Sequence, residues 1–103
     1  MRNKFNAKKT VVDNIKFDSM AEARRYKNLK LLERSGSISD LELQPRYDLI
    51  INDIKVGFYK ADFRYVQDGQ LIIEDVKGMK TPIYNLKKKM IKAIYGFDIL
   101  ETN

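Results

Sequence analysis

From Lys9 onward the hydrophobic residues fall into short alternating runs parted by turn residues, interrupted twice by stretches with helical spacing. Val11, Val12, Ile15 and Phe17 flank Asp13-Asn14, which predicts a small hairpin over residues 9–17. Ser19 followed three residues later by Glu22 makes a capping box, opening a helix expected to run to about Arg34 and to stop before Gly36. Residues 38–43 and 47–51 alternate as strands, with Pro45 between them unable to donate to a ladder. Two longer strands, 56–66 and 70–77, are joined by Asp68-Gly69, a strong two-residue hairpin signal. Thr81 as cap, Pro82 at the first helical position and Gly96 past the end frame a second helix over 82–95, with Ile83, Leu86, Met90 and Ile94 as its expected buried stripe. A short strand over 97–100 closes the chain, and residues 1–8, basic and without periodicity, read as a flexible arm. The expected fold is α/β of the α+β kind: a leading hairpin, a helix, three or four strands, a helix and a strand.

The Asp68-Gly69 turn also fixes a register. With those two residues in the loop, Gln67 faces Gln70, and counting back along both strands puts Asp62 opposite Asp75 and Lys60 opposite Lys77. Period-two alternation then places all four on one face, with Ile73 beside them and Glu74 turned to the other side in a structural, charge-balancing role. Carboxylates directly across a ladder lie about 4.5 to 5.5 Å apart at Cβ and destabilise it unless compensated. Two compensations are open: a divalent cation, or diagonal ion pairs of Asp62 with Lys77 and of Lys60 with Asp75 on a solvated face. Glu22 raises a similar choice. It points close to the centre of the apolar face of Ala23, Tyr26, Leu29 and Leu32, so its carboxylate either reaches back to cap its own helix or is aimed at a buried site.

Composition narrows the chemistry. At 103 residues and 44% hydrophobic content the chain suits one domain over 1–103. It has no Cys and no His, so disulfides, thiolate zinc sites and imidazole chemistry are excluded, and any metal is held by oxygen. Mg²⁺, or Mn²⁺ in its place, suits such ligands and keeps waters while contacting phosphates. Twenty Lys and Arg against fourteen Asp and Glu give a net charge of +6, a footprint of polyanion binding or simply of solvated lysines. Lys60, Lys80, Lys87, Lys88, Lys89 and Lys92 are the candidates for DNA phosphate contact. No apolar run approaches the ~20 residues needed to span a bilayer, so no membrane partner and a cytoplasmic location are expected.

Asp62, thirteen residues before the triplet Asp75-Val76-Lys77 and following a helix that carries an acid, resembles the αβββαβ core of the PD-(D/E)XK nucleases, with Ala61 where the usual motif has proline. The segments FDSMAEARRY, LELQPRYDL, ADFRY and EDVKGMKT resemble, over nearly the whole chain, small phage and prophage proteins placed beside Holliday-junction resolvases and transposon-end endonucleases. The resemblance implies a central mixed sheet flanked by helices. It further implies that Glu22, Asp62, Asp75 and Lys77 take the catalytic positions, with Gln44 and Tyr84 as additional site residues. Asp62, Asp75, the Val76 carbonyl and Glu22 would hold Mg²⁺. The implied activity is Mg²⁺-dependent hydrolysis of DNA phosphodiesters, on branched, Holliday-junction-like phage DNA, by a protein of a bacterial cell acting as a homodimer. Two other classes stay open: a non-catalytic nucleic-acid-binding module, and an interaction protein of phage replication or recombination.

Overall fold

The computed structural model describes residues 9–103; the expected basic arm lies outside them. β1 (Thr10–Val12) and β2 (Ile15–Phe17) form the leading hairpin, turned by Asp13 and Asn14 at φ 52° and 63°, the positive values that a type I′ turn needs. α1 (Met20–Arg34) follows, capped by Ser19 Oγ, which accepts the Glu22 N–H at 3.1 Å. Next come β3 (Ser39–Leu43), β4 (Arg46–Ile51), β5 (Ile54–Lys60), β6 (Phe63–Gln67) and β7 (Gln70–Val76). α2 (Pro82–Tyr95) is capped by Thr81 and ended by Gly96 in the left-handed region, and β8 (Ile99–Thr102) closes the chain. A four-stranded sheet in the order β3-β6-β7-β8 is mixed, antiparallel except for the parallel β7–β8 pair. The two helices are as the sequence pattern leads one to expect, and a mixed central sheet is what the resemblance implied.

α1 lies on one face of the sheet and α2 on the other. Ala23, Tyr26 and Leu29 of α1 pack with Phe63 and Tyr65 of β6, whereas Tyr84 and Ile91 of α2 pack with Ile73 of β7 and Ile99 of β8. Successive side chains of a strand point to opposite faces, so the two cores draw on alternate residues of β7.

The stretch 56–66 is not one strand. β5 leaves β6 at Ala61-Asp62 and pairs only with β4. Yet the pairings Leu43↔Phe63 and Arg46↔Lys60 lie on a single uninterrupted register. Two backbone bonds carry it across the gap: Gln44 N–H to the Asp62 carbonyl at 2.9 Å, and Ala61 N–H to the Pro45 carbonyl at 3.0 Å. The segment is thus one long hairpin bent sharply at its middle. Pro45 has no N–H to return a bond, and Gln44 takes φ 52°, so the ladder cannot stay flat there. The bend carries odd-numbered side chains from one core to the other: Phe63 and Tyr65 belong to the α1 side, Tyr59 and Ala61 to the α2 side.

Two sequence expectations fall here. Lys60 faces Arg46, not Lys77, because the bend takes it out of the main sheet. On α2 the buried residues are Tyr84 and Ile91, while Ile83 and Leu86 are 64% and 52% exposed. The inward face is rotated towards Tyr84 because that side chain fills the space between β7 and the bent hairpin, with its ring 6.5 Å from that of Tyr59.

Candidate active site

Asp62 stands at the corner of the bent hairpin, held by its own backbone. Its N–H donates to the Glu74 carbonyl at 3.1 Å, and its carboxylate Oδ2 accepts the Val76 N–H at 2.7 Å. The register that the turn sets holds as far as Phe63 facing Glu74, the last pair before the corner; there Asp62 bonds to the Glu74 carbonyl instead of pairing with Asp75 on the ladder, and the two carboxylates meet through the bend. Asp75 is 1% exposed, and its Oδ2 accepts the hydroxyl of Tyr59, which the bend has delivered from β5. Lys77 places Nζ 3.9 Å from Asp75 Oδ1 and 4.5 Å from the centre of the Tyr84 ring. From the other side of the sheet, Glu22 in the first turn of α1 is buried and turned to Asp62; its Oε2 has no partner among the described residues.

Three carboxylates from three elements therefore meet in sequence, Glu22 beside Asp62 and Asp62 beside Asp75, with few donors to spare. Burial first, and the Asp62 charge second, push both Glu22 and Asp75 well above the usual carboxylate range. Asp18, just ahead of the helix, adds to the repulsion on Glu22. Burial and the neighbouring acids also push the Tyr59 and Tyr84 hydroxyls up, so both remain neutral donors. Tyr84 spends its hydroxyl on Glu101 at 2.7 Å; Lys80 and Lys88 join it at 3.0 and 3.2 Å. The Tyr84 hydrogen bond and then these lysines hold Glu101 down to about 2.

Among the described residues no group of three or more acids is already gathered as a cation cage. Each of the two aspartates has an oxygen engaged, by Val76 and by Tyr59. The donor chemistry nevertheless fits a hard divalent ion: all oxygen, mutually repelling, and with one buried oxygen left unpartnered. An open cleft of about 570 Å³ adjoins Lys77, lined by Val76, Gly78, Met79 and Tyr84 and by both helix caps, Ser19 and Thr81. Helix N-termini carry partial positive charge, so the cleft favours an anion.

Of the residues expected at the site, Glu22, Asp62, Asp75, Val76 and Lys77 are brought together. The Val76 contact is made by its N–H, which donates to the Asp62 carboxylate, and not by the carbonyl that the resemblance implied. Gln44 adjoins through its backbone bond to Asp62, and Tyr84 through the ring under Lys77. Neither diagonal ion pair forms, since Lys77 meets Asp75 along its own strand and Lys60 is elsewhere. Of the lysines proposed for DNA contact, Lys80 and Lys88 are tied to Glu101, Lys92 to Asp98 at 3.2 Å, and Lys87 lies over the Phe58 ring, while Lys89 is exposed. Sequence reasoning missed Tyr59 and Glu101. The signal for Tyr59 was Pro45: a proline between two runs on one register marks a bend, and a bend reverses which face an odd residue takes.

Among the described residues no helix is long and apolar enough to cross a membrane. No curated protein and no solved structure matches the chain significantly. A family profile does, over residues 2–100, and on that match the chain belongs to the family described as protein of unknown function DUF1064.

Proposed function

We propose that the chain is a divalent-metal-dependent endodeoxyribonuclease of PD-(D/E)XK type, cutting phosphodiesters in branched DNA. The observation that carries the reading is the meeting of Glu22, Asp62 and Asp75, from α1, the hairpin corner and β7, with an unpartnered buried oxygen and with Lys77 beside them. An acidic cluster left short of partners, beside a lysine at the mouth of a cleft, is a functional arrangement more than a stabilising one. A net charge of +6 supplies general attraction for the substrate.

Asp62, Asp75 and Glu22 would hold Mg²⁺, which when bound polarises the phosphate and lowers the pKa of its water. The chain's own groups do the rest. Val76 N–H and the corner backbone fix the Asp62 carboxylate, and Tyr59 fixes that of Asp75. Lys77, 28% exposed in its side chain and lying over the Tyr84 ring, keeps its ammonium at the cleft, where it stabilises charge developing on the phosphate. Tyr84 is in turn anchored by Glu101. Branched DNA as substrate, and a homodimer that cuts two strands symmetrically, come from the resemblance of the sequence segments.

The test incubates the protein with a labelled four-way junction and a matched linear duplex in Mg²⁺, Mn²⁺ or EDTA, alongside Asp75→Ala. Metal-dependent cuts absent from the variant are expected, and comparing the substrates reads the preference. Binding without cuts under every metal condition would contradict the nuclease and leave a DNA-binding module; neither binding nor cuts would favour a protein-interaction role.

A further inference from the structure

On β4 and β5, beyond the bend, Arg46, Asp48, Phe58 and Lys60 share one face: Arg46 stands directly opposite Lys60, and Asp48 opposite Phe58. Like charges directly opposed across a ladder are destabilising. This pair is not neutralised: Arg46 has Asp48 at 3.5 Å, but Lys55 claims the same oxygen at 3.5 Å, and Lys60 has no ion pair among the described residues. Phe58, 40% exposed, does not retreat from this surface. The Arg46 guanidinium lies 4.0 Å from its ring centre, and Lys87 reaches it from α2 at 5.3 Å. One aromatic ring thus orders two cations from two elements beside a third, with Asp48 the one carboxylate among them.

We infer that Arg46 and Lys87, ordered around Phe58, form with Lys60 an anchor for the phosphodiester backbone of nucleic acid leading into the Asp62–Asp75 site. The placement supports this. Lys60 is two residues before Asp62, at most about 7 Å of extended chain. At one charge per about 3.4 Å of each strand's axis, that spans about two phosphates. The carboxylates of the site repel a polyanion, and an unneutralised cationic face at this distance offsets that repulsion on the substrate's path. Holding guanidinium and ammonium against a ring lowers the entropy lost when they meet phosphate. A stacked base is the lesser contact, because the ring already carries cations.

The inference rests on the nuclease reading for the substrate's direction, so its test avoids cleavage. Fluorescence anisotropy in EDTA measures binding of a labelled 20-base-pair duplex and a four-way junction to the full chain across a salt series. The variants are the double change Arg46→Ala with Lys60→Ala, and Lys27→Ala on the exposed side of α1 as control. Thermal unfolding checks that each folds; removing opposed cations should leave the melting temperature equal or higher. The double variant should bind both DNAs at least about tenfold more weakly, with the slope of log affinity against log salt shallower by roughly 1.8, while the control stays at the wild-type value. Unchanged affinity and slope in the double variant overturn the anchor. Absence of DNA binding by the wild-type chain also overturns it and leaves the face to an acidic protein. If the anchor holds but no metal yields cleavage, the nuclease reading fails alone.

Discussion

Glu74 and Asp75 are neighbours on β7, 0% and 1% exposed, and their surroundings are opposite in kind. Glu74 faces α1 and is fully served: Arg25 donates to both its oxygens at 2.7 and 3.0 Å, the Tyr65 hydroxyl at 2.6 Å and the Thr102 hydroxyl at 3.1 Å. Asp75 faces α2 and has one tyrosine hydroxyl, a lysine at 3.9 Å and the repulsion of Asp62. Burial is the same; the supply of donors differs. The chain satisfies one buried acid completely and leaves the next one short, beside Asp62, which Glu22 in turn meets from α1; on the proposed function, that second cluster is the place for exchangeable partners.

That contrast can be broken in order of expected effect. Lys77→Ala should lower cleavage by about a hundredfold or more while leaving folding and DNA binding intact, because the ammonium acts on developing charge; single-turnover rates beside anisotropy would check it, and equal rates would remove Lys77 from the mechanism. Arg25→Ala should cost about 3 kcal/mol of stability, since it strands the buried Glu74, and denaturant unfolding reads it directly. Asp75→Asn should act the other way on the metal-free protein at pH 8, raising its melting temperature by several degrees, since it removes a buried charge. Ile83→Ser should change stability by less than about 0.5 kcal/mol, as that side chain is exposed rather than buried.

The same contrast gives a pH dependence. Glu22 and Asp75 have folded-state pKa values raised above the unfolded ones near about 4. The folded state therefore holds extra protons across that interval, so the stability linked to them is fully present at low pH and is lost as pH rises through the folded values. Glu101 is depressed to about 2, so its contribution is present above the unfolded value and lost as pH falls towards 2. Metal-free stability should peak in mildly acidic solution and decline into the alkaline side; Asp75→Asn should flatten the alkaline decline in melting temperature.

The two helices, their caps and the turns at Asp13-Asn14 and Asp68-Gly69 were legible from local chemistry. So was the β6–β7 register from Gln67–Gln70 to Phe63–Glu74, because the Asp68-Gly69 turn fixes it and burial forbids a one-residue slip. What escaped was the bend. Local strand propensity runs unbroken through 56–66, and the reversal at Ala61-Asp62 arises from Pro45 and Gln44 on the opposite strand, a non-local cause. From that one omission followed the misplacement of Lys60 and the absence of Tyr59 from the expected site. The inward turn of Tyr84 was hidden for a related reason: α2 alone offers a better apolar stripe through Ile83 and Leu86, and the bent hairpin decides which face is covered. Glu101 lay just past the expected end of the last strand, which parallel pairing with β7 extends to Thr102.

If Glu22, Asp62 and Asp75 bind a divalent cation, thermal unfolding at pH 8 with and without Mg²⁺ or Mn²⁺, in the wild type and in Asp62→Asn, will show it. A ligand that binds only the folded state at a hundred times its Kd adds about 2.7 kcal/mol, so the wild type should melt several degrees higher with metal and the variant should not. No shift with either ion, or an equal shift in both proteins, would contradict the account.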